Sequence, residues 1–115
     1  MTLLAVVRDL GFQSRILETL AGLDVRVRFV SPGPTLEAAL AAERFDAAVV
    51  DLTVADAEVF RALGAVGRVL AFGPHVERER FRQARAAGVA RVVANGRLDR
   101  VLPRWLAGEP VADEA

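Results

Sequence analysis

Asp46–Thr53, with the sequence DAAVVDLT, is the stretch that decides the fold of this chain. Its centre is a short apolar run, and such a run is typical of a central β-strand that is buried on both faces. The run ends on a single carboxylate, Asp51. Because open α/β sheets bind ligands at the carboxyl ends of their strands, the residues around Asp51 decide which chemistry the protein can perform.

The composition limits the classes of function that remain open. The chain has 115 residues, a length that corresponds to one domain. All of its basic residues are arginine, so no reaction that requires a lysine ε-amino group can take place. The chain contains no cysteine and one histidine, which excludes thiolate zinc sites and histidine-rich metal sites. An ion with oxygen ligands, such as Mg²⁺, is the metal that stays open.

The charge balance and the hydropathy pattern also restrict the partners. Fifteen basic residues balance 15 acidic ones, so no overall field attracts nucleic acid or anionic lipid, and we expect neither as a partner. No apolar stretch approaches the roughly 18 to 20 residues of a membrane-spanning helix. We therefore expect a cytoplasmic protein without a membrane segment.

Predicted strands and helices alternate along the chain. Period-two patterns and apolar runs predict strands near residues 3–7, 25–30, 46–53, 69–72 and 89–94. Apolar residues at helical spacing predict helices near 12–23, 35–45, 56–63, 76–87 and 98–106. Thr35 and Asp56 are the predicted N-caps of the second and third helices. Parallel strands need crossover connections, so this alternation predicts a parallel sheet with helices on both faces.

The domain organisation follows from the same pattern. We expect one domain over residues 1–107, without an internal repeat or a linker. Residues 108–115, GEPVADEA, are polar and contain proline, and they predict a flexible acidic tail.

The chain resembles the receiver domains of response regulators over about residues 2–107. The resemblance rests on the order of elements, on Asp51 at the end of the third strand, on the AAGV stretch at Ala86–Val89, and on the edge-like V-R-V-R pattern of the second strand. It implies a flavodoxin-like (βα)₅ fold with the strand order 2-1-3-4-5. It also implies two-component signalling or a phosphorelay, in which a histidine kinase phosphorylates the strand-three aspartate with the help of Mg²⁺.

Three positions that support this reaction in receivers carry different residues here. The family has two acids after the first strand, whereas this chain has Arg8 and Asp9. Gly73 takes the place of the hydroxyl residue after the fourth strand, and Asn95 takes the place of the lysine after the fifth. With Asp51 these residues form a degenerate receiver pocket, for which the sequence favours neither a catalytic residue nor a metal.

The sequence therefore favours a stand-alone pseudo-receiver, which is not an enzyme and acts by contact with a signalling or regulatory protein. Two alternatives stay open. In the first, the chain is an active response regulator with Asp51 as phosphoacceptor, and Asp9 and Asp51 hold Mg²⁺. In the second, the edge of the sheet around Arg8, Asp51, Gly73 and Asn95 binds a small ligand.

Arginine spacing on the fourth and fifth helices predicts a contact surface. Residues three or four apart lie on one side of a helix, so the arginines of each helix form a ridge. In receivers, the face made by helix 4, strand 5 and helix 5 commonly mediates dimerisation or partner docking. We expect this basic ridge to bind an acidic partner or to form a homodimer. Its members are Arg78, Arg82, Arg85, Arg97, Arg100 and Arg104.

Overall fold

A five-stranded parallel sheet forms the centre of the molecule, with helices on both faces. The computed structural model describes residues 1–112. The elements, in chain order, are β1 (Thr2–Val6), α1 (Leu10–Leu20), β2 (Arg26–Val30), α2 (Pro34–Ala42), β3 (Ala47–Asp51), α3 (Ala57–Leu63), β4 (Val69–Gly73), α4 (Arg78–Ala86), β5 (Arg91–Ala94), a 3₁₀ turn (Asn95–Arg97) and α5 (Leu98–Leu106). The spatial order of the strands is β2-β1-β3-β4-β5. Both the predicted architecture and the predicted strand order are confirmed.

The central strand β3 is covered on both sides. All five of its residues are buried. Ala47 and Val49 pack in the layer that contains α1 and α5, whereas Ala48 and Val50 pack in the layer that contains α2, α3 and α4. This double burial explains why the sequence of the strand is apolar almost throughout.

Most predicted boundaries differ from the observed ones by one or two residues, and α5 has the predicted limits. The predicted ends of α1 and α2 lie three residues too late, and β5 begins two residues later than predicted for a local reason. Gly88 adopts a φ of 94°, and the amide of Val89 donates to the carbonyl of Ala84 at 3.1 Å. Val89 therefore closes α4 instead of entering the sheet, and β5 begins at Arg91. Helical spacing predicts that Ala87 is buried, like Phe81 and Ala84. This prediction is wrong, because Ala87 lies past the end of α4 and is exposed.

The N-cap prediction is right for α3 and wrong for α2. Asp56 Oδ1 accepts a hydrogen bond from the amide of Val59 at 3.0 Å. Helix α2 instead begins at Pro34, and Thr35 lies within its first turn, where the hydroxyl donates to the carbonyl of Ser31 at 2.7 Å. Proline has no N–H to leave unpaired and its φ suits a helix, so α2 begins before the predicted cap.

The predicted C-terminal tail is described only in part. Val111 packs against the core layer formed with α1 and α5. Residues 113–115 of the predicted tail lie outside the described residues. Within residues 1–112, no helix combines the length and the apolar character that crossing a membrane requires.

A carboxylate between two arginines joins the edge strand β2 to the end of α2. Glu43 Oε2 lies 2.9 Å from Nη1 of Arg28, and Glu43 Oε1 accepts a hydrogen bond from Arg26. The side chain of Glu43 is 18% exposed. The hydrogen bond from Arg28, followed by the contacts with Arg26, lowers the pKa of Glu43 below its ordinary value of 4.5, although burial opposes this effect.

The lowered pKa of Glu43 predicts a pH-dependent part of the stability. The arginine contacts stabilise the fold fully above the unfolded pKa of about 4.5, and this contribution is lost as the pH falls through the lower folded value. We expect Glu43→Gln to lower the melting temperature at neutral pH. The difference in melting temperature from wild type should become smaller as the pH is lowered. Thermal unfolding followed by circular dichroism over a pH series measures this difference.

Glu37→Gln is the matched control, because Glu37 is an exposed acid on the same helix. It should keep the wild-type dependence of melting temperature on pH. A difference between Glu43→Gln and wild type that is the same at every pH would contradict the prediction.

Candidate functional site

The carboxyl ends of the strands form one edge of the sheet, and Asp51 lies at its centre. Asp51 is the last residue of β3 and is 4% exposed. Arg8 and Asp9 follow the neighbouring strand β1, Gly73 ends the other neighbour β4, and Asn95 follows β5. The topology therefore brings the five residues of the predicted pocket to the same edge.

One oxygen of Asp51 is engaged by the loop that follows β3. Oδ1 accepts hydrogen bonds from the amide of Thr53 at 2.9 Å and from its hydroxyl at 2.8 Å. Within residues 1–112, Oδ2 has no hydrogen-bond partner. The sequence analysis did not identify Thr53, although an aspartate followed two residues later by threonine is a known turn signal. Asp51 thus ends the strand with Oδ1 hydrogen-bonded to its own loop, and Oδ2 is the oxygen that this loop does not engage.

A side chain at Gly73 would be tightly packed against Leu52. A Cβ atom at Gly73 would lie 3.1 Å from the Cβ of Leu52 and 3.2 Å from its Cδ1. Leu52 is 1% exposed and packs in the layer of α2, α3 and α4. A hydroxyl-bearing residue at this position would therefore require Leu52 to shift by a few tenths of an ångström.

The two residues after β1 have different environments. Asp9 is the N-cap of α1, and its Oδ1 accepts a hydrogen bond from the amide of Phe12 at 2.9 Å. Arg8 is exposed and forms no ion pair with Asp51 or with any other residue in the part of the chain that is described. The guanidinium of Arg8 therefore does not neutralise Asp51, and one carboxylate oxygen of Asp9 is committed to the start of α1.

A metal cluster of the usual composition is not formed by the described residues. Among residues 1–112, no group of three or more histidine, cysteine, aspartate or glutamate side chains could hold an ion. Asp9 and Asp51 are the two carboxylates that the sequence predicts as possible ion ligands at this edge. A divalent ion would need further oxygen ligands from the backbone or from water.

Asn95 provides an amide where receivers have a lysine. Its Oδ1 is buried and has no hydrogen-bond partner within residues 1–112. Its backbone carbonyl accepts a hydrogen bond from Nη2 of Arg15 at 3.2 Å, and the same nitrogen lies 3.0 Å from Oδ1 of Asp99. Arg15 thus ties the turn after β5 to α1, and the side chain of Asn95 supplies no cation to the edge.

Arg80 is a functional candidate that the sequence analysis missed. Its Nη1 donates to the carbonyl of Leu52 at 2.9 Å, and its Nε lies 2.9 Å from Oε2 of Glu77. Arg80 lies two positions from Arg78 and from Arg82, which is about half a helical turn, so helical spacing alone places it on the other side of α4. This contact joins the start of α4 to the loop that follows Asp51.

The α4 part of the predicted ridge contains paired and exposed arginines. Arg82 forms an ion pair with Glu79 on the same helix. The Cζ of Arg85 lies 6.0 Å from the ring centroid of Phe81. Arg78 is exposed and forms no ion pair within the described part of the chain. Arg78 is thus the α4 arginine that is most available to a partner.

The α5 part of the ridge also contains both paired and exposed arginines. Arg97 lies in the 3₁₀ turn before α5, and Nε of Arg104 lies 3.2 Å from Oε1 of Glu109. Arg100 is exposed and has no ion pair with any of residues 1–112. Helices α4 and α5 cover opposite faces of the sheet beside the edge strand β5. The predicted ridge therefore spans one side of the molecule and is not continuous along one helix.

A groove of about 600 Å³ lies at the amino ends of β4 and β5, opposite the Asp51 edge. Arg68 lines it, with its Cζ 4.7 Å from the ring centroid of Trp105 and its Nη2 donating to the carbonyl of Trp105 at 2.6 Å. This arginine satisfies a carbonyl in the last turn of α5. The groove is remote from Asp51, so it does not contribute to the candidate site.

No protein-family model matches the sequence, and no curated protein matches it. Solved structures match it closely in fold. The structure of a response regulator from Hahella chejuensis matches with a TM-score of 0.79 and 19% identity, over 96% of this chain and 98% of that one. A response regulator receiver protein from Pseudoalteromonas atlantica gives a TM-score of 0.76 and 12% identity, over 94% and 95%.

A third match is the receiver domain of a sensor histidine kinase from Pseudomonas aeruginosa, solved with a magnesium ion coordinated in its active-site cleft. Its TM-score is 0.72 at 21% identity, over 92% of this chain and 97% of that one. The likeness in each case concerns the fold and extends over nearly the whole chain. The protein therefore has the flavodoxin-like fold of response-regulator receiver domains.

Proposed function

We propose that this protein is a pseudo-receiver, a non-catalytic signalling module that keeps the receiver fold and acts through contacts with other proteins. The observation that carries the proposal is the packing of Leu52 against Gly73. A Thr or Ser at position 73 would bring a Cβ to 3.1 Å from the Cβ of Leu52. The position therefore lacks the hydroxyl, and tight packing closes it to a side chain unless Leu52 shifts.

The electrostatics around Asp51 support the same proposal. Phosphoryl transfer to an aspartate depends on positive charge and hydrogen-bond donors that are already positioned for the transferred group. Here the chain has no lysine, and Asn95 stands where the family has one. One oxygen of Asp51 is engaged by Thr53, and one oxygen of Asp9 caps α1. The groups that would lower the barrier are thus missing or used in the structure of the loops.

The α4–β5–α5 side is the surface that we propose for partner binding. Arg78 and Arg100 are exposed there and form no ion pair within residues 1–112. Charged groups at the rim of an interface mainly increase the association rate and the specificity. An acidic signalling or regulatory protein fits this surface, and binding should weaken as salt increases. A homodimer through the same side is the competing arrangement.

An active response regulator is the second candidate, and one observation favours it. Oδ2 of Asp51 has no hydrogen-bond partner in the described part of the chain, so a nucleophilic oxygen is present at the sheet edge. In this alternative, Asp9 and Asp51 would hold Mg²⁺ through their remaining oxygens, and the ion would supply the charge that a lysine supplies elsewhere.

Treatment with acetyl phosphate and Mg²⁺ separates the two candidates. We expect no gain of a phosphoryl group by intact-mass spectrometry, because the groups that stabilise the transition state are missing. An active receiver treated in parallel shows that the reagent works, and Asp51→Asn provides the matched background. Stoichiometric modification of the wild type that Asp51→Asn abolishes would refute the pseudo-receiver proposal.

Restoring a hydroxyl at Gly73 tests the closed site. We expect Gly73→Thr to lower the free energy of unfolding by about 1–3 kcal/mol, because its Cβ would lie 3.1 Å from the Cβ of Leu52. Urea denaturation measures this change. Gly96→Thr is the control, because a Cβ there meets nothing within 4 Å and the backbone φ is not positive.

A double mutant shows whether Leu52 is the cause. Leu52→Ala removes Cγ and Cδ1, which would lie 3.5 Å and 3.2 Å from a Cβ at position 73, and keeps the Cβ of residue 52, so it should recover part of the loss when it is combined with Gly73→Thr. If Gly73→Thr is as stable as Gly96→Thr, or if the two changes are strictly additive, the site is not closed by this contact.

Charge reversal on the α4–β5–α5 side tests the docking surface. We expect Arg78→Glu combined with Arg100→Glu to abolish capture of a specific partner from extracts of the native host, as identified by mass spectrometry. Arg44→Glu reverses an exposed arginine that precedes β3 on another part of the surface, and it should leave capture unchanged. Equal capture by all three proteins would place the docking surface elsewhere, and analytical ultracentrifugation of the same variants reports on a homodimer.

A further inference from the structure

Arg80 differs from the neighbouring arginines of α4 in what it contacts. Arg82 is 77% exposed and pairs with Glu79 within its own helix. Arg80 is 43% exposed and reaches the main chain of the loop after β3, 28 residues earlier in the sequence. One guanidinium therefore joins two segments that have no connection through the helix itself.

The hydrogen bond from Arg80 is accepted by Leu52, whose amide and side chain already have partners. The amide of Leu52 donates to the carbonyl of Phe72 at 2.8 Å, which extends the pairing of β3 with β4. The side chain of Leu52 packs against Gly73. The carbonyl is the remaining polar group of this residue, and Arg80 satisfies it at 2.9 Å. Arg80 thus completes the attachment of the residue that directly follows Asp51.

The start of α4 has few other attachments. Its N-cap residue, Glu77, makes no side-chain capping hydrogen bond and instead pairs with Nε of Arg80. Helix α4 buries Phe81 and Ala84, whereas α5 buries five of its residues. A helix with little buried surface and without a side-chain cap frays readily at its first turn. The position of this turn therefore depends strongly on Arg80.

We infer that Arg80 is a latch that couples the loop after Asp51 to the first turn of α4, and that the closed latch holds the α4 surface in one position. The contact uses the Leu52 carbonyl and the Glu77 carboxylate, and it needs neither a phosphoryl group nor a hydroxyl at position 73. Because Arg78 lies in the same turn, the latch also fixes the arginine that is most available on α4. The inference rests on the proposed function only in treating α4 as part of the docking surface.

Opening of the latch should show as local exchange of amide hydrogens. The amides of Thr53, Val54, Arg80 and Phe81 are hydrogen-bonded within the two joined segments. We expect Arg80→Met, which keeps the aliphatic stem and loses all donors, to speed exchange of these amides about tenfold or more, since a hydrogen bond to a charged group contributes stability of that order. Exchange in β1, α1 and α5 should stay at the wild-type rate.

Two further variants make the result interpretable. Arg82→Met removes an exposed ion pair from the same helix and should leave the exchange of both segments unchanged. Arg80→Lys keeps the positive charge and has one ammonium group as donor, so it should restore part of the protection from exchange. It replaces Arg80→Met if Arg80→Met does not fold.

The inference is overturned if Arg80→Met exchanges like Arg82→Met, or if exchange increases uniformly over the whole chain. The first result would mean that the contact couples nothing, and the second that Arg80 contributes only to global stability. Hydrogen exchange needs no partner, so these outcomes are independent of the capture experiment. A failure of partner capture with a confirmed latch would refute the docking proposal alone.

Discussion

The burial of β3 on both faces is the constraint on which the rest of the structure depends. A strand with apolar side chains on both sides needs a layer of helices on each side, and parallel neighbours need crossovers that supply those helices. The strand order then places β3 at the centre of the sheet, with β1 and β4 beside it. Asp51 lies at the carboxyl edge as a consequence of this arrangement, whatever chemistry it performs.

The residues that form the core and the residues at the Asp51 edge are largely different. The core layers are complete, and their residues lie in the strands and on the inner faces of the helices. Of the residues that differ from receivers, Arg8 and Asn95 lie outside the strands, and Gly73 is the last residue of β4. A chain can therefore have this architecture with different groups at the sheet edge, because the fold and the chemistry of that edge depend largely on different positions.

The sequence predicted those features that arise from local pattern and could not predict those that arise from distant contacts. The limits of α5 and the cap at Asp56 follow from periodicity and from near neighbours, whereas the strand order was implied by the resemblance to receiver domains. The contact of Leu52 with Gly73 and the hydrogen bond of Arg80 join residues that are far apart in the chain, so no spacing rule indicates them. Thr53 is an intermediate case, because its turn with Asp51 is local, although its importance depends on the burial of Asp51.

Because Leu52 packs against Gly73, the residues at positions 52 and 73 are hard to change one at a time during evolution. A larger residue at position 73 meets Leu52, and a smaller residue at position 52 leaves a cavity beside a glycine, so either step taken first passes through a less stable protein. Domains operate close to a stability threshold, which makes such intermediates rare. Positions 52 and 73 are therefore expected to change together during evolution, whereas exposed positions can change one at a time.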